Sequence, residues 1–127
     1  MTNDEKQLLA RKFLSVLGRP DEALVRSVTV DDVVWTFPGS SAISGEARGA
    51  AAIMKRARAI AGHDVKVEIV RAVYGYEGVT MILHNTSNAN GRLLDEHLAA
   101  VFSFRGDKIS RLDTFLSDVA MAEAFFA

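Results

Sequence analysis

Apolar residues in the first seventeen positions recur at helical spacing, with Leu9, Phe13, Val16 and Leu17 on one stripe. Thr2 followed by Glu5 forms a capping-box pattern ahead of that stripe, and Gly18 and Pro20 end it, so a first amphipathic helix is predicted. Pro20-Asp21-Glu22 suits a second start, with acids at the positive end of the dipole, and Ala23, Leu24 and Val28 make a short second helix. Val33-Val34-Trp35-Thr36-Phe37 is β-branched and aromatic and is cut off by Pro38-Gly39, which predicts a strand; a Ser/Gly loop follows. From about Arg48 to Ala61, Ile53, Ala57 and Ile60 share a stripe and Gly62 stands as the residue after the helix, while Lys55, Arg56 and Arg58 occupy a solvated face. Beyond Gly62 the period changes to two: Val65, Val67 and Ile69 alternate with Lys66 and Glu68, and runs follow at Val79–Ser87, Arg92–Phe104 and Ile109–Leu116. Gly75/Gly78, Asn90-Gly91 and Gly106-Asp107 separate these runs with hairpin chemistry. The tail from Ser117 to Phe126 predicts a short closing helix or hydrophobic latch, with Asp118 as its cap.

The Asn90-Gly91 turn sorts the sheet into two faces. With these as the central residues of a type I′ turn, Leu98 stands opposite Leu83, Ala100 opposite Met81, Phe102 opposite Val79, and Glu96 opposite Asn85. The other face carries His97 with His84, Ala99 with Ile82, Val101 with Thr80, and Asp95 with Thr86. The first set is the more apolar and is expected to be covered by helices, while the second meets water or another subunit. The last hairpin admits two registers. A two-residue Gly106-Asp107 turn sets Asp113 opposite Ala100 on the inner face; a three-residue loop with a bulge sets it opposite Ala99 and sends Leu112, Thr114 and Leu116 inward. The second register places more apolar area inside and is preferred.

The chain has 127 residues, 49% hydrophobic and 24% charged, with 15 Lys+Arg against 16 Asp+Glu and a formal charge of −1. This is expected of one soluble domain spanning residues 1–127, large enough to bury roughly two-thirds of its extended surface. No Cys is present, which excludes disulfides, thiolate catalysis and iron–sulfur clusters. The balanced charge argues against nucleic acid as a partner, and no run approaches the roughly 18 apolar residues of a membrane span, so a cytoplasmic location is expected.

The order α-α-β-α-β-β-β-β resembles the SnoaL-like and ketosteroid-isomerase-like families of the nuclear transport factor two superfamily. The resemblance rests on Val34-Trp35-Thr36-Phe37-Pro38-Gly39, Ser44-Gly45-Glu46-Ala47-Arg48-Gly49 leading into Ala52-Ile53, and Gly91-Arg92-Leu93-Leu94-Asp95. Val101-Phe102-Ser103-Phe104 and the terminal stretch Asp118 to Phe125 extend it over almost the whole chain. It implies an α+β cone: a curved antiparallel (mixed) sheet wrapped around helices, an apolar pocket within, and a homodimer through the outer sheet face. The steroid isomerases place their proton-abstracting Asp before the Pro at the end of the first strand, which is Phe37 here. Their neutral, proton-donating Asp corresponds to about Ala100, and their oxyanion-hole Tyr falls near Lys12 or Phe13, so all three groups are missing. The related epoxide hydrolases place an acid close to Asp113 or Thr114, without the accompanying Arg-x-Asp.

These readings nominate Trp35, Phe37, Met81, Leu83, Asn85, Leu98, Ala100, Leu112 and Thr114 as the lining of a pocket for a small apolar molecule. Glu96 and Asp113 are the candidate catalytic carboxyls, Glu96 at the polar end of the oily face and Asp113 only if it points inward. No cofactor and no metal is assigned. His84 and His97, with Cβ atoms about 4.5–5.5 Å apart, are the alternative as metal ligands or a proton relay, but without a third ligand a polar cross-strand pair is preferred. A binding protein is therefore expected, with two alternatives: a cofactor-independent isomerase, polyketide cyclase or hydratase/epoxide hydrolase using a pocket carboxylate, and a dimeric interaction protein with a filled cone.

Overall fold

The computed structural model describes residues 1–127. Its elements are α1 (Asn3–Ser15), α2 (Glu22–Val28), β1 (Thr29–Phe37), β2 (Gly45–Arg48), α3 (Gly49–Gly62), β3 (Lys66–Tyr74), β4 (Gly78–Ser87), a 3-10 turn (Ala89–Gly91), β5 (Leu94–Arg105), β6 (Lys108–Leu116) and α4 (Val119–Phe125). The Thr2 hydroxyl and the Glu5 carboxyl cap α1 reciprocally, as the sequence pattern predicts, and Asp118 caps α4.

One six-stranded sheet runs in the order β2-β1-β6-β5-β4-β3. Only β1 and β6 are parallel neighbours, so the sheet is mixed rather than purely antiparallel. The strand β2, absent from the sequence reading, pairs with the end of β1 from Val34↔Arg48 to Phe37↔Gly45. Its four residues, Gly45-Glu46-Ala47-Arg48, bury only Ala47, and so short a run of alternation gives no signal distinct from a loop.

The β4–β5 ladder has the register predicted from Asn90-Gly91, from Gly78↔Ser103 to Ser87↔Leu94. Asn90 (φ 56°) and Gly91 (φ 72°) both take the left-handed conformation that a type I′ turn demands, and the Arg92 N–H donates to the Ala89 carbonyl at 3.0 Å. The last hairpin follows neither expected register. Gly106-Asp107 does form a two-residue turn, with Arg105 opposite Lys108, but a bulge between Ser103 and Phe104 shifts the remaining pairs. Asp113 consequently stands opposite Val101, and Leu112 and Thr114 face inward opposite Phe102 and Ala100. A bulge one step inside a tight turn keeps the turn and still buries the apolar set, a combination that separate turn rules do not produce.

The core is one cluster of 29 buried residues between the inner sheet face and the helices. Phe13 of α1 stands edge-on to Trp35 of β1 (centroids 5.7 Å) and to Phe102 of β5 (5.8 Å), packing α1 onto the inner sheet face. Arg56 corrects the sequence reading. Lying three residues after Ile53 and four before Ile60, it belongs to the apolar stripe of α3, and it is buried rather than solvated. Its guanidinium donates to the carbonyls of Trp35 (2.7 Å) and Gly45 (2.9 Å) and lies 5.0 Å from the Trp35 ring centre, tying α3 to β1 and to the start of β2. Burial lowers its pKa to about 10, so it stays protonated at neutral pH.

Candidate functional site

The wide end of the cone is closed by α4. Phe125 and Phe126 are buried, Phe126 meets Phe37 edge-on at 6.3 Å, and His63 at the end of α3 packs against both phenylalanines at 5.5 and 5.2 Å. Arg92, in the β4–β5 connection, donates to the carbonyls of Phe125 (3.2 Å) and Ala127 (2.9 Å) and so holds the far end of the helix. Beneath this closure lies a cavity of about 20 Å³, walled by Phe37, Ile60, Leu98 and Phe126 among others, with Asn85 and Glu96 as its polar members. That volume accommodates about one water molecule.

Glu96 is the only buried acid in the chain, 2% exposed. β5 delivers it to the inner face because side chains alternate along a strand, and the ladder sets it directly opposite Asn85 of β4. Its two oxygens have different tasks. Oε2 accepts from the Ser117 hydroxyl at 2.6 Å and from the Asp118 N–H at 2.8 Å, pinning the segment that leads into α4. Oε1 is buried with no hydrogen-bond partner, and so is Oδ1 of Asn85. A buried acceptor without a donor costs about 1–3 kcal/mol, so two of them in one small cavity are a pair that a donor-bearing guest would satisfy.

Of the residues nominated from sequence, Phe37, Asn85, Glu96 and Leu98 surround the cavity. Trp35, Met81, Leu83, Ala100 and Leu112 lie on the same inner face but in solid packing, each under 9% exposed; Thr114 takes the Trp35 indole N–H on its hydroxyl at 2.9 Å and borders, with Phe37 and Asp113, an open groove of about 440 Å³. The aromatic wall expected at Trp35 is thus core, because α1 brings Phe13 against it. Asp113 does not reach the interior. It accepts from the Thr36 hydroxyl at 2.6 Å and from Arg111 Nε at 2.9 Å on the outer face. Partial burial pulls its pKa upward, but the hydrogen bonds from Arg111 and Thr36 outweigh it and hold the carboxyl below its ordinary range. Asp113 thus borders the open groove beside Phe37 and Thr114 as the partner of Arg111, outside the cavity that holds Glu96.

His84 and His97 also face outward, ring on ring at 4.3 Å and 5° between planes. Two acids join them, Asp95 being already expected on this face though not as a ligand: Asp95 Oδ1 lies 2.6 Å from His84 Nε2, and Glu68 Oε1 lies 3.8 Å from His84 Nδ1. Asp95 was legible, since it shares a face with His97 two residues on. Glu68 was not, because its register against His84 depends on a bulge between Ile69 and Arg71.

The sequence signature of the SnoaL-like domain matches residues 10–112. Uncharacterized protein Rv0034 of Mycobacterium tuberculosis (strain H37Rv) is 27% identical over 131 residues, covering all of both chains. Bal32a, from a soil-derived mobile gene cassette, has the same fold with a TM-score of 0.88 at 20% identity, covering 98% of each chain. A hypothetical protein with a ketosteroid-isomerase-like fold from Catenulispora acidiphila, solved in complex with trimethylamine, superposes with a TM-score of 0.73 at 14% identity over 94% of this chain and 93% of that one. No helix is long and apolar enough to cross a membrane.

Proposed function

The chain belongs to the SnoaL-like domain family, and from that premise we propose that it binds a small molecule with an apolar body and a hydrogen-bond donor at the wide end of its cone. The observation that carries this reading is the pair of buried, unpartnered oxygens, Glu96 Oε1 and Asn85 Oδ1, in an otherwise apolar cavity. A guest hydroxyl or protonated amine would donate to one or both, while Phe37, Phe126 and Leu98 take the apolar part. Aromatic faces next to a carboxyl favour a cationic donor. The trimethylamine held by the Catenulispora neighbour has this character in its protonated form, with three methyl groups and one N–H.

A guest larger than water needs α4 to yield. The helix has seven residues, and Glu96 holds its lead-in, so a ligand on Oε1 and the closure of the cone meet at one carboxyl. For an isomerase or cyclase, Glu96 Oε1 is the atom that would move a proton. The steroid isomerases' proton-abstracting Asp, proton-donating Asp and oxyanion-hole Tyr have no counterparts at Phe37, Ala100 and Lys12 or Phe13, so binding is the better-supported activity. The outer sheet face, with Phe115 and Val73 exposed, is where a second copy would dock.

The test is an NMR titration of the labelled protein with trimethylammonium chloride and, separately, with phenol. Saturable shifts are expected at Asn85, Glu96, Leu98 and Phe126, weakened about tenfold or more in Glu96→Gln, which puts an amide in place of the free acceptor. Absence of saturable shifts with both probes, or shifts indifferent to Glu96→Gln, would overturn the reading.

A further inference from the structure

On the opposite side of the sheet from the cone, we propose that His84, His97 and Asp95 bind a divalent transition-metal ion of the zinc type, with Glu68 orienting His84. The placement follows from the ladder. His84 and His97 are directly opposed on β4 and β5, Asp95 lies two residues from His97 on the same face, and Glu68 of β3 is directly opposed to His84. One ligand atom from each of His84, His97 and Asp95 lies within 4.8 Å of the others. Donors around a tetrahedral ion with bonds of about 2.0–2.1 Å stand roughly 3.4 Å apart, so the widest pair needs to close by about 1.4 Å at most, while Asp95 Oδ1 and His84 Nε2, at 2.6 Å, must part by about 0.8 Å and exchange their hydrogen bond for the ion. Their exposure in the single chain allows it: His97 is exposed, and the side chains of His84 and Asp95 are 30% and 57% accessible, so the site requires that a second copy docked over Phe115 and Val73 leave this end of β4 and β5 open.

The rings are stacked nearly parallel, and a shared ion must lie close to the plane of each. Binding therefore turns them out of the stack about their χ2 bonds, which leaves a spectroscopic mark. The fourth group is what distinguishes this cluster from an ordinary surface pair. Asp95 approaches Nε2 of His84, whereas Glu68 stands on the Nδ1 side, where a ligating histidine commonly donates its second N–H to a carboxylate. Rotation of the exposed Glu68 brings its oxygen from 3.8 Å into hydrogen-bond range. Two imidazoles and one carboxylate select zinc, cobalt, nickel or copper over magnesium or calcium, and three protein ligands leave a position for water or an anionic ligand. The site does not depend on the cone: its side chains leave the sheet on the face opposite Glu96.

The experiment titrates the metal-free protein with zinc chloride by calorimetry and with cobalt chloride by visible absorption, the imidazole proton resonances being followed in parallel. One ion per chain is expected, with a cobalt spectrum of low-coordinate nitrogen and oxygen ligation and movement of the His84 and His97 resonances together. His84→Ala, His97→Ala and Asp95→Asn should each weaken binding by tenfold or more, and Glu68→Gln by about tenfold, with the thermal transition of the metal-free variants unchanged. Magnesium chloride should not compete. Failure of zinc to saturate at millimolar concentration, or undiminished binding in the His84→Ala/His97→Ala double variant, would overturn the proposal.

Discussion

Replacing Glu96 by Gln should leave the fold as stable as before or make it more stable, although Glu96 is among the most buried side chains in the chain. The carbonyl of Gln can take over the two hydrogen bonds that Oε2 accepts from Ser117 and Asp118, at 2.6 and 2.8 Å. Its amide nitrogen then occupies the place of Oε1, the oxygen that has no donor, on the side facing the unpartnered Asn85 Oδ1. Relief of one unmatched acceptor is worth about 1–3 kcal/mol; weaker hydrogen bonds to a neutral acceptor give back about 1 kcal/mol, so the net change is between zero and about +2 kcal/mol. Glu96→Leu behaves differently. It removes the partner of the Ser117 hydroxyl and of the Asp118 N–H, at about 1–3 kcal/mol each, and loosens the entry to α4. The assay is urea unfolding at pH 7 followed by circular dichroism, with the thermal midpoint as a check at roughly 4 °C per kcal/mol for a chain of this size. A Gln variant destabilised by more than about 2 kcal/mol, or one as unstable as the Leu variant, would refute the reasoning, since Oε1 would then be satisfied by the native fold.

On the outer face, Asp113 is held below the ordinary carboxylate range, so its contribution to stability is present above about pH 4 and disappears as the pH falls through its folded value. Arg111→Met should therefore cost less than about 1 kcal/mol at pH 7, the pair being partly exposed, and the difference from wild type should shrink towards zero near pH 2; a difference independent of pH would show that Arg111 acts through packing. At Gly78 an added Cβ would stand 2.5 Å from the Phe102 carbonyl oxygen, a backbone atom of the neighbouring strand that cannot swing aside. Gly78→Ala should cost about 1–3 kcal/mol by urea unfolding, and an unchanged midpoint would mean that the start of the β4–β5 ladder is looser than described.

What was legible in the sequence was whatever depends on neighbours in the chain. The capping box at Thr2 and Glu5, the helical stripe through Phe13, and the alternation of β4 and β5 are local, and the Asn90-Gly91 turn carries a register outward by counting, so Glu96 opposite Asn85 and His84 opposite His97 followed from it. Arg56 was also within reach, since its spacing from Ile53 and Ile60 places it on the buried stripe, but a charge outweighed position in that reading. Tertiary structure decided the rest. The bulge between Ser103 and Phe104 turns on whether one residue can be left unpaired so that Leu112 and Thr114 meet the core, and it sent Asp113 outward to Arg111. Whether Trp35 lines a hollow or fills one depends on Phe13, a residue twenty-two positions away brought in by α1. The cavity beside Glu96 measures about 20 Å³ with Ala122 and Phe126 among its walls, and the chain around them is tied down by Arg92 and Glu96, residues far from it in sequence, and by its own Glu123. Close packing is a property of all the elements together: each side chain's volume can be read from the sequence, but the void left between them exists only once every element has been placed.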